Sequence, residues 1–253
     1  GPDSEMFWDF GAELKLHENS EFKDWPCHVN CDCGRFLEIG NNVFIEYYLD
    51  KNLVWNPLKQ KNIDFGGGFE RIVMCLQDKH DVFETDIFGS ILEKISILLG
   101  KSYKTSGKNN EYTSAFRVIA DHARASTFII ADGILPSNKD QGYILRKFIR
   151  RMVRFGKKIG IENNFGATVA KEVIGNMSAA YPYLLDNESK IYLIITEEEN
   201  KFRKTLGNGL KEIEKLISKN IPINGELAFH IYETFGFPVE MTLEEFNLNN
   251  EEI

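Results

Sequence analysis

Asp64-Phe65-Gly66-Gly67-Gly68-Phe69-Glu70-Arg71 marks the place where this chain passes from one kind of local structure to another. An extended segment leads into it, and a helix-like run, Ile72-Val73-Met74-Cys75-Leu76, follows. Glycine has no Cβ, so a main chain built from it can lie close against a flat ligand or a phosphate. An arginine just beyond the glycines brings a planar, permanently charged fork suited to a polyphosphate. An aspartate just before them can hold an ammonium group. Three glycines alone would be explained equally well by a flexible turn. The aromatic–glycine alternation closed by Glu-Arg is narrower, and it fits neither the phosphate-binding P-loop nor the dinucleotide fingerprint.

Working outward, residues 1–65 read as strands joined by loops. Glu5-Met6-Phe7-Trp8-Asp9-Phe10 is short and aromatic, and Arg35 to Leu49 alternates loosely, with a bend or bulge signalled near Gly40-Asn41-Asn42. From about residue 80 the period becomes helical. Asp86–Leu99 carries Ile87, Ile91, Ile95 and Leu98 on one stripe, and Ser114–Ala131 repeats Phe116, Ile119, Ala123, Thr127 and Ile130. Ser102–Tyr112 is polar and predicts a surface loop, and Pro136-Ser137-Asn138 predicts a turn. A long helix is predicted over about Glu188–Lys219, weakened at Gly207-Asn208-Gly209, and a last one over the run closing on Gly236-Phe237-Pro238. The predicted class is α+β: a partial antiparallel sheet in a domain spanning 1–80, then a mainly helical domain spanning 81–253.

Composition narrows the classes. The chain has 253 residues, 43% hydrophobic and 27% charged, which suits a protein with a sizeable core. No run of about 18 apolar residues exists, so no membrane partner is expected. The chain opens on Gly1-Pro2 without Met or a signal peptide, which reads as a piece of a longer protein. The net charge of −8 argues against nucleic acid, but its distribution argues for it. Between Gly142 and Gly160 lie Arg146, Lys147, Arg150, Arg151, Arg154, Lys157 and Lys158, with no acid among them. Arg146, Arg150 and Arg154 share one helical face.

Phe65-Gly66-Gly67-Gly68-Phe69-Glu70-Arg71 resembles the third signature motif of class II aminoacyl-tRNA synthetases. Glu38-Ile39-Gly40-Asn41-Asn42-Val43-Phe44, Arg117-Val118-Ile119-Ala120-Asp121-His122-Ala123-Arg124 and Ala131-Asp132-Gly133-Ile134-Leu135-Pro136-Ser137-Asn138 narrow the resemblance to the alanine-specific family, as do Gly142-Tyr143-Ile144-Leu145-Arg146 and Tyr232-Glu233-Thr234-Phe235-Gly236-Phe237-Pro238. The similarity runs through nearly the whole chain in family order.

That resemblance implies an ATP-dependent, Mg²⁺-assisted ligase acting in the cytoplasm. It would activate alanine to alanyl-adenylate and transfer it to tRNA(Ala). Asp64 would pair with the amino group of alanine, Asn41 and Val43 would line the amino-acid pocket, Gly66 and Gly68 would admit the adenylate, and Arg71 would bind the ATP phosphates. Asn138 and Glu233 would flank the G·U pair of the tRNA acceptor stem, while Arg146, Arg150 and Arg151 would meet its backbone phosphates. The chain departs from the family at Gly40, where Trp is frequent, at Glu233, where Asp is usual, and at Gln141, where Arg is usual. The family's first two signature motifs lie outside this stretch, so the chain alone is expected to be a poor catalyst. A non-catalytic RNA-binding module derived from the family is the alternative reading.

Cys27-His28-Val29-Asn30-Cys31-Asp32-Cys33 offers four donors, Cys27, His28, Cys31 and Cys33, of the types that bind zinc. Its spacing is tight, and a reduced, metal-free loop fits the sequence equally well, so no metal is assigned from it. His122 and His230 read as structural histidines.

Overall fold

The computed structural model describes residues 2–103 and 111–246. The chain divides into two compact units, Gly1–Ile87 and Phe88–Ile253, and its class is α+β.

The first unit is built on an antiparallel sheet of three strands among the described residues: β1 (Asp3–Asp9), β2 (Phe36–Leu49) and β3 (Trp55–Gly67), in that order across the sheet. Alternating apolar and polar residues suit a sheet with two unlike faces. The bend predicted near Gly40 is a bulge one step earlier. Met6 pairs with Gly40 but Phe7 pairs with Glu38, leaving Ile39 as the extra residue. The β2–β3 hairpin closes on Asp50, whose carboxylate accepts the main-chain N–H groups of Asn52 (2.8 Å) and Val54 (3.0 Å) and the amide of Asn56 (3.0 Å). After β3 the N–H of Gly68 bonds to the carbonyl of Ile39 at 3.0 Å, and the chain turns directly into helix α1 (Phe69–Leu76). The long β1–β2 connection, Phe10–Arg35, holds one 3₁₀ turn at Ala12–Leu14 and otherwise only short turns.

The second unit is helical. It comprises α2 (Asp86–Leu99), which begins at the end of the first unit, α3 (Glu111–Ala131), α4 (Asp140–Lys158), α5 (Gly166–Met177), α6 (Tyr183–Asp186), α7 (Glu188–Ser218), α8 (Gly225–Phe235) and α9 (Val239–Phe246). The stripes read from the sequence supply most of its core: Ile91, Ile95, Phe116, Ile119, Ala123, Ile130, Leu145, Ile149, Met152, Ile191, Ile195 and Phe202 are all buried, while Leu98, at the end of the first stripe, is exposed. Helices α3 and α4 make the most extensive helix pair, and α7 packs along α3, α4 and α5.

The interruption expected at Gly207-Asn208-Gly209 is absent, and α7 runs unbroken through it. A Cβ on Gly209 would stand 2.5 Å from the Phe237 ring, so glycine there allows the chain after α8 to close on α7. That close contact outweighs the helix penalty of about 1 kcal/mol. Gly236 ends α8 with φ +73°, in the left-handed region open to glycine. Of the predicted loop Ser102–Tyr112, residues 104–110 lie outside the described residues. No helix among the described residues is long and apolar enough to cross a membrane.

Candidate functional site

The register of the sheet brings the expected ligand-facing residues of the first unit to one face. Val43 pairs with Asp3 on one side and Asp64 on the other; Asn41 pairs with Glu5 and Gly66. Directly paired residues point the same way and neighbours along a strand point oppositely. The opposite face is fixed independently: a Cβ on Gly40 would meet Met6 Cε at 2.7 Å and the Phe65 ring at 3.1 Å, and Asn42 donates to Ser4 Oγ at 3.4 Å. Asn41, Val43, Asp64 and Gly66 therefore share the other surface. Val43, Asp64 and Gly66 are exposed on it.

The two outer glycines of the motif do different things. A Cβ on Gly66 would meet nothing within 4 Å, so packing does not require glycine there and the strand is left bare. A Cβ on Gly68 would lie 3.1 Å from Arg71 Cδ and 3.3 Å from its Cβ, so this glycine makes room for the arginine to fold back over the sheet. Arg71 does so. Its Nη1 donates to the carbonyl of Glu38 at 2.8 Å and lies 3.7 Å from the Glu38 carboxylate, while the side chain stays 49% exposed. Glu38 lines a cleft of about 410 Å³ with Glu5, Phe7, Phe36 and loop residues between Val29 and Gly34. Asp64 and Arg71 do not themselves line that cleft. Glu38 was missed from the sequence, because only the bulge turns it toward Arg71.

In the loop beside this cleft, the four sequence candidates for metal binding separate. The exposed His28 uses Nδ1 to accept the N–H of Asn30 at 3.2 Å. The imidazole that joins the cysteines is His17, whose Nδ1 lies 3.5 Å from Cys31 Sγ.

The second unit carries the expected nucleic-acid residues. Segment 140–158 is a helix whose own sequence holds no acid after Asp140, but acids from other elements meet it. Glu198 of α7, with a side chain only 5% exposed, takes Arg150 at 2.6 Å and lies 3.7 Å from Arg146. Glu240, Glu244 and Glu245 of α9 pair with Lys147 (3.0 Å), Arg151 (2.7 Å) and Arg154 respectively, and Lys157 pairs with Glu162. The basic run that the sequence reads as a nucleic-acid face is, in the structure, a set of ion pairs. The sequence could not show it, because the partners lie some 50 to 90 residues away for all but Lys157.

Burial would raise the Glu240 carboxyl, but its hydrogen bonds, that from Lys147 among them, outweigh this and hold it below the usual carboxylate range. Burial, then the charge of Glu240, pushes the Tyr143 hydroxyl up to about 12. Arg150 is also pulled down by burial, against the opposing pull of Glu198.

Asn138, in the turn before α4, accepts from Arg146 and from the hydroxyl of Tyr232 (3.3 Å) on α8. Glu233 is the next residue on α8 and is exposed, as is Asn138. The structure thus brings Asn138, Arg146 and the Tyr232-Glu233 end of α8 together. Arg150 sits deeper than Arg146 and is braced to Glu198 and Gly236, whereas Arg151, with its side chain 30% exposed, lies nearer the edge and is held by Glu244 and by His122 Nε2 (3.1 Å). His122, whose Nδ1 faces Asp121 at 3.0 Å, is a satisfied structural histidine.

The family model for class II (A) tRNA synthetases matches residues 1–252. The chain is 42% identical over 242 residues to the alanine–tRNA ligase of Elusimicrobium minutum, covering 95% of this chain and 27% of that protein. It is 43% identical over 251 residues to that of Carboxydothermus hydrogenoformans, covering 96% of this chain and 28% of that protein. To the Dehalococcoides mccartyi ligase it is 39% identical over 246 residues. The chain spans little more than a quarter of the length of these curated relatives.

Proposed function

Because the chain belongs to the class II (A) tRNA synthetase family, we propose that it is a portion of an alanine–tRNA ligase, uniting part of the adenylate-forming site with the acceptor-stem-binding helical region. The observation that carries this reading is the shared surface of Asn41, Val43, Asp64 and Gly66, with Arg71 folded beside it. Asp64 would take the ammonium group of alanine, Asn41 and Val43 would bound its small side chain, and the bare main chain at Gly66 and Gly68 would lie against the adenylate. The carboxylate oxygen of alanine attacks the α-phosphorus in line and pyrophosphate leaves. Arg71 would stabilise the charge on the phosphates, and catalysis is positioning plus electrostatics. The aminoacyl group then passes to the terminal adenosine of tRNA(Ala), releasing AMP.

Mg²⁺ suits the residues present. Glu5, Asp32 and Glu38 line the cleft and offer the hard oxygen donors this ion prefers. Glu38, beside Arg71, would hold it, and when bound it would neutralise phosphate charge.

In the helical unit we propose that Asn138 and Glu233 face the G·U pair and that Arg146, at the rim, meets the phosphate backbone. Arg151 would support that contact from the edge, and Arg150 chiefly holds the surface in shape. The same reading puts the protein in the cytoplasm, with its tRNA, alanine and ATP.

The test is alanine-dependent exchange of pyrophosphate into ATP by a chimaera in which this chain replaces the matching stretch of the Elusimicrobium ligase. Exchange with alanine, and none with serine or glycine, is the expected result. A chimaera that binds tRNA(Ala) but exchanges nothing would instead mark this chain as an RNA-binding derivative.

A further inference from the structure

The connection Phe10–Arg35 is long for a segment whose one regular element is the 3₁₀ turn Ala12–Leu14, and it has almost no core of its own. Only two of its residues are buried, His17 and Cys33, each 8% exposed. Trp25 and Val29 face solvent. A segment that buries so little apolar surface needs another restraint.

The buried pair stands at the centre of a donor cluster. The ligating atoms of His17, Cys27 and Cys33 all lie within 4.8 Å of one another. Cys27 Sγ and Cys33 Sγ are 4.0 Å apart, and Cys31 Sγ is 3.5 Å from His17 Nδ1. Around a tetrahedral zinc with Zn–S of about 2.3 Å and Zn–N of about 2.0–2.1 Å, neighbouring sulfurs stand about 3.8 Å apart and a nitrogen–sulfur pair about 3.6 Å apart. The two contacts match those edges. A disulfide needs sulfurs at about 2.0 Å, and all four cysteines of the chain are free.

The orientation of the imidazole is also set. His17 Nε2 lies 2.8 Å from the carbonyl of Trp25. A carbonyl only accepts, so Nε2 carries the proton and Nδ1 presents its lone pair to the sulfurs. Fixing a histidine ligand through its far nitrogen is the usual support of a metal site. The main-chain N–H groups of Cys33 and Arg35 are directed at Cys31 and Cys33 respectively, as around metal-bound thiolates. Arg35, paired with Asp9 at 2.8 Å, also reaches Cys27, which would offset the surplus negative charge of three thiolates on a divalent ion.

We propose that His17, Cys27, Cys31 and Cys33 bind one zinc ion, a structural site that fastens the β1–β2 connection as a wall of the cleft. The same loop lines that cleft through Val29, Asn30, Cys31, Asp32 and Gly34, opposite Glu5, Phe7 and Glu38. With four protein ligands the ion has no open position and does no chemistry. The site stands on the loop alone and holds whether or not the chain activates alanine.

The test is metal analysis of the 253-residue chain purified with reductant and without chelator, together with the spectrum of its cobalt-substituted form. The expected result is about one zinc per chain, and for cobalt the visible bands of a tetrahedral ion with strong thiolate charge transfer. His17→Ala and Cys33→Ala should each lower the bound zinc at least about tenfold, whereas His28→Ala should retain it. In the wild-type chain, zinc should shield Cys27, Cys31 and Cys33 from alkylation, and chelation should expose them. That readout, like the cobalt spectrum, keeps the test decisive should a variant fail to fold. Wild-type chain that holds no stoichiometric zinc, a cobalt spectrum lacking thiolate bands, or zinc lost with His28→Ala and kept with His17→Ala would each overturn the proposal.

Discussion

The glycine motif of the sheet unit and the basic helix α4 of the helical unit treat charge in opposite ways. In the sheet unit Asp64 is exposed on a bare strand, and Arg71 is half exposed with Glu38 beside it. In the helical unit Arg146, Lys147, Arg150, Arg151, Arg154 and Lys157 each have a carboxylate partner. A charge without a tight partner is available to a ligand, whereas a charge braced by its own fold serves first to fix the shape that a ligand meets. Local abundance of arginine is therefore a weaker guide to a binding face than an arginine with little to hold it.

That contrast breaks most readily at Glu198. Its carboxylate is almost fully buried between α7 and α4, and removing it leaves Arg150 without its ion-pair partner. Glu198→Ala should lower the unfolding free energy by about 3–5 kcal/mol, measured by urea denaturation. The exposed neighbour Glu197 is the control, and Glu197→Ala should stay within about 0.5 kcal/mol. Equal, small effects at both positions would mean that the α4 charges are not braced.

Arg71 probes the other side. In the chimaera, Arg71→Ala should slow alanine-dependent exchange by about 10²- to 10³-fold, the usual result of losing one charge-stabilising donor. Because the side chain is half exposed, its thermal stability should be nearly unchanged. Arg71→Lys should recover part of the rate, since it restores a charge but not the planar fork. A large stability loss with little change in rate would show that Arg71 is a brace like Arg150.

Local pattern made much of this molecule legible. The stripe in Asp86–Leu99 gave helix α2 with its observed bounds, and the glycine motif placed the strand-to-helix turn at Gly68. Both depend on neighbours within a few residues. What escaped the sequence depends on distant partners. Glu240, Glu244 and Glu245 look like an ordinary acidic helix until α9 lies against α4. His28 adjoins a cysteine and looks like a ligand, yet His17, ten residues before Cys27, is the one folded inward. Gly209 looks like a helix breaker because its contact, Phe237, comes from beyond the next helix.

The smallest expected effect tests the α4–α9 pairs at their edge. Glu240 receives Lys147 at 3.0 Å and the Tyr143 hydroxyl at 3.0 Å, and its side chain is still 37% exposed. Its carboxyl is held below the ordinary value of 4.5, so the fold favours the ionised form. The resulting stabilisation is complete above that value and is lost as pH falls through the lowered folded-state value. Glu240→Gln removes the charge and retains an acceptor for Tyr143. At neutral pH it should cost less than about 1 kcal/mol, because solvent screens the pair. The difference in urea midpoint between wild type and variant should then shrink as pH drops below 4.5. A difference independent of pH would assign the contribution of Glu240 to packing and the Tyr143 hydrogen bond, and would remove Lys147 from the braced set.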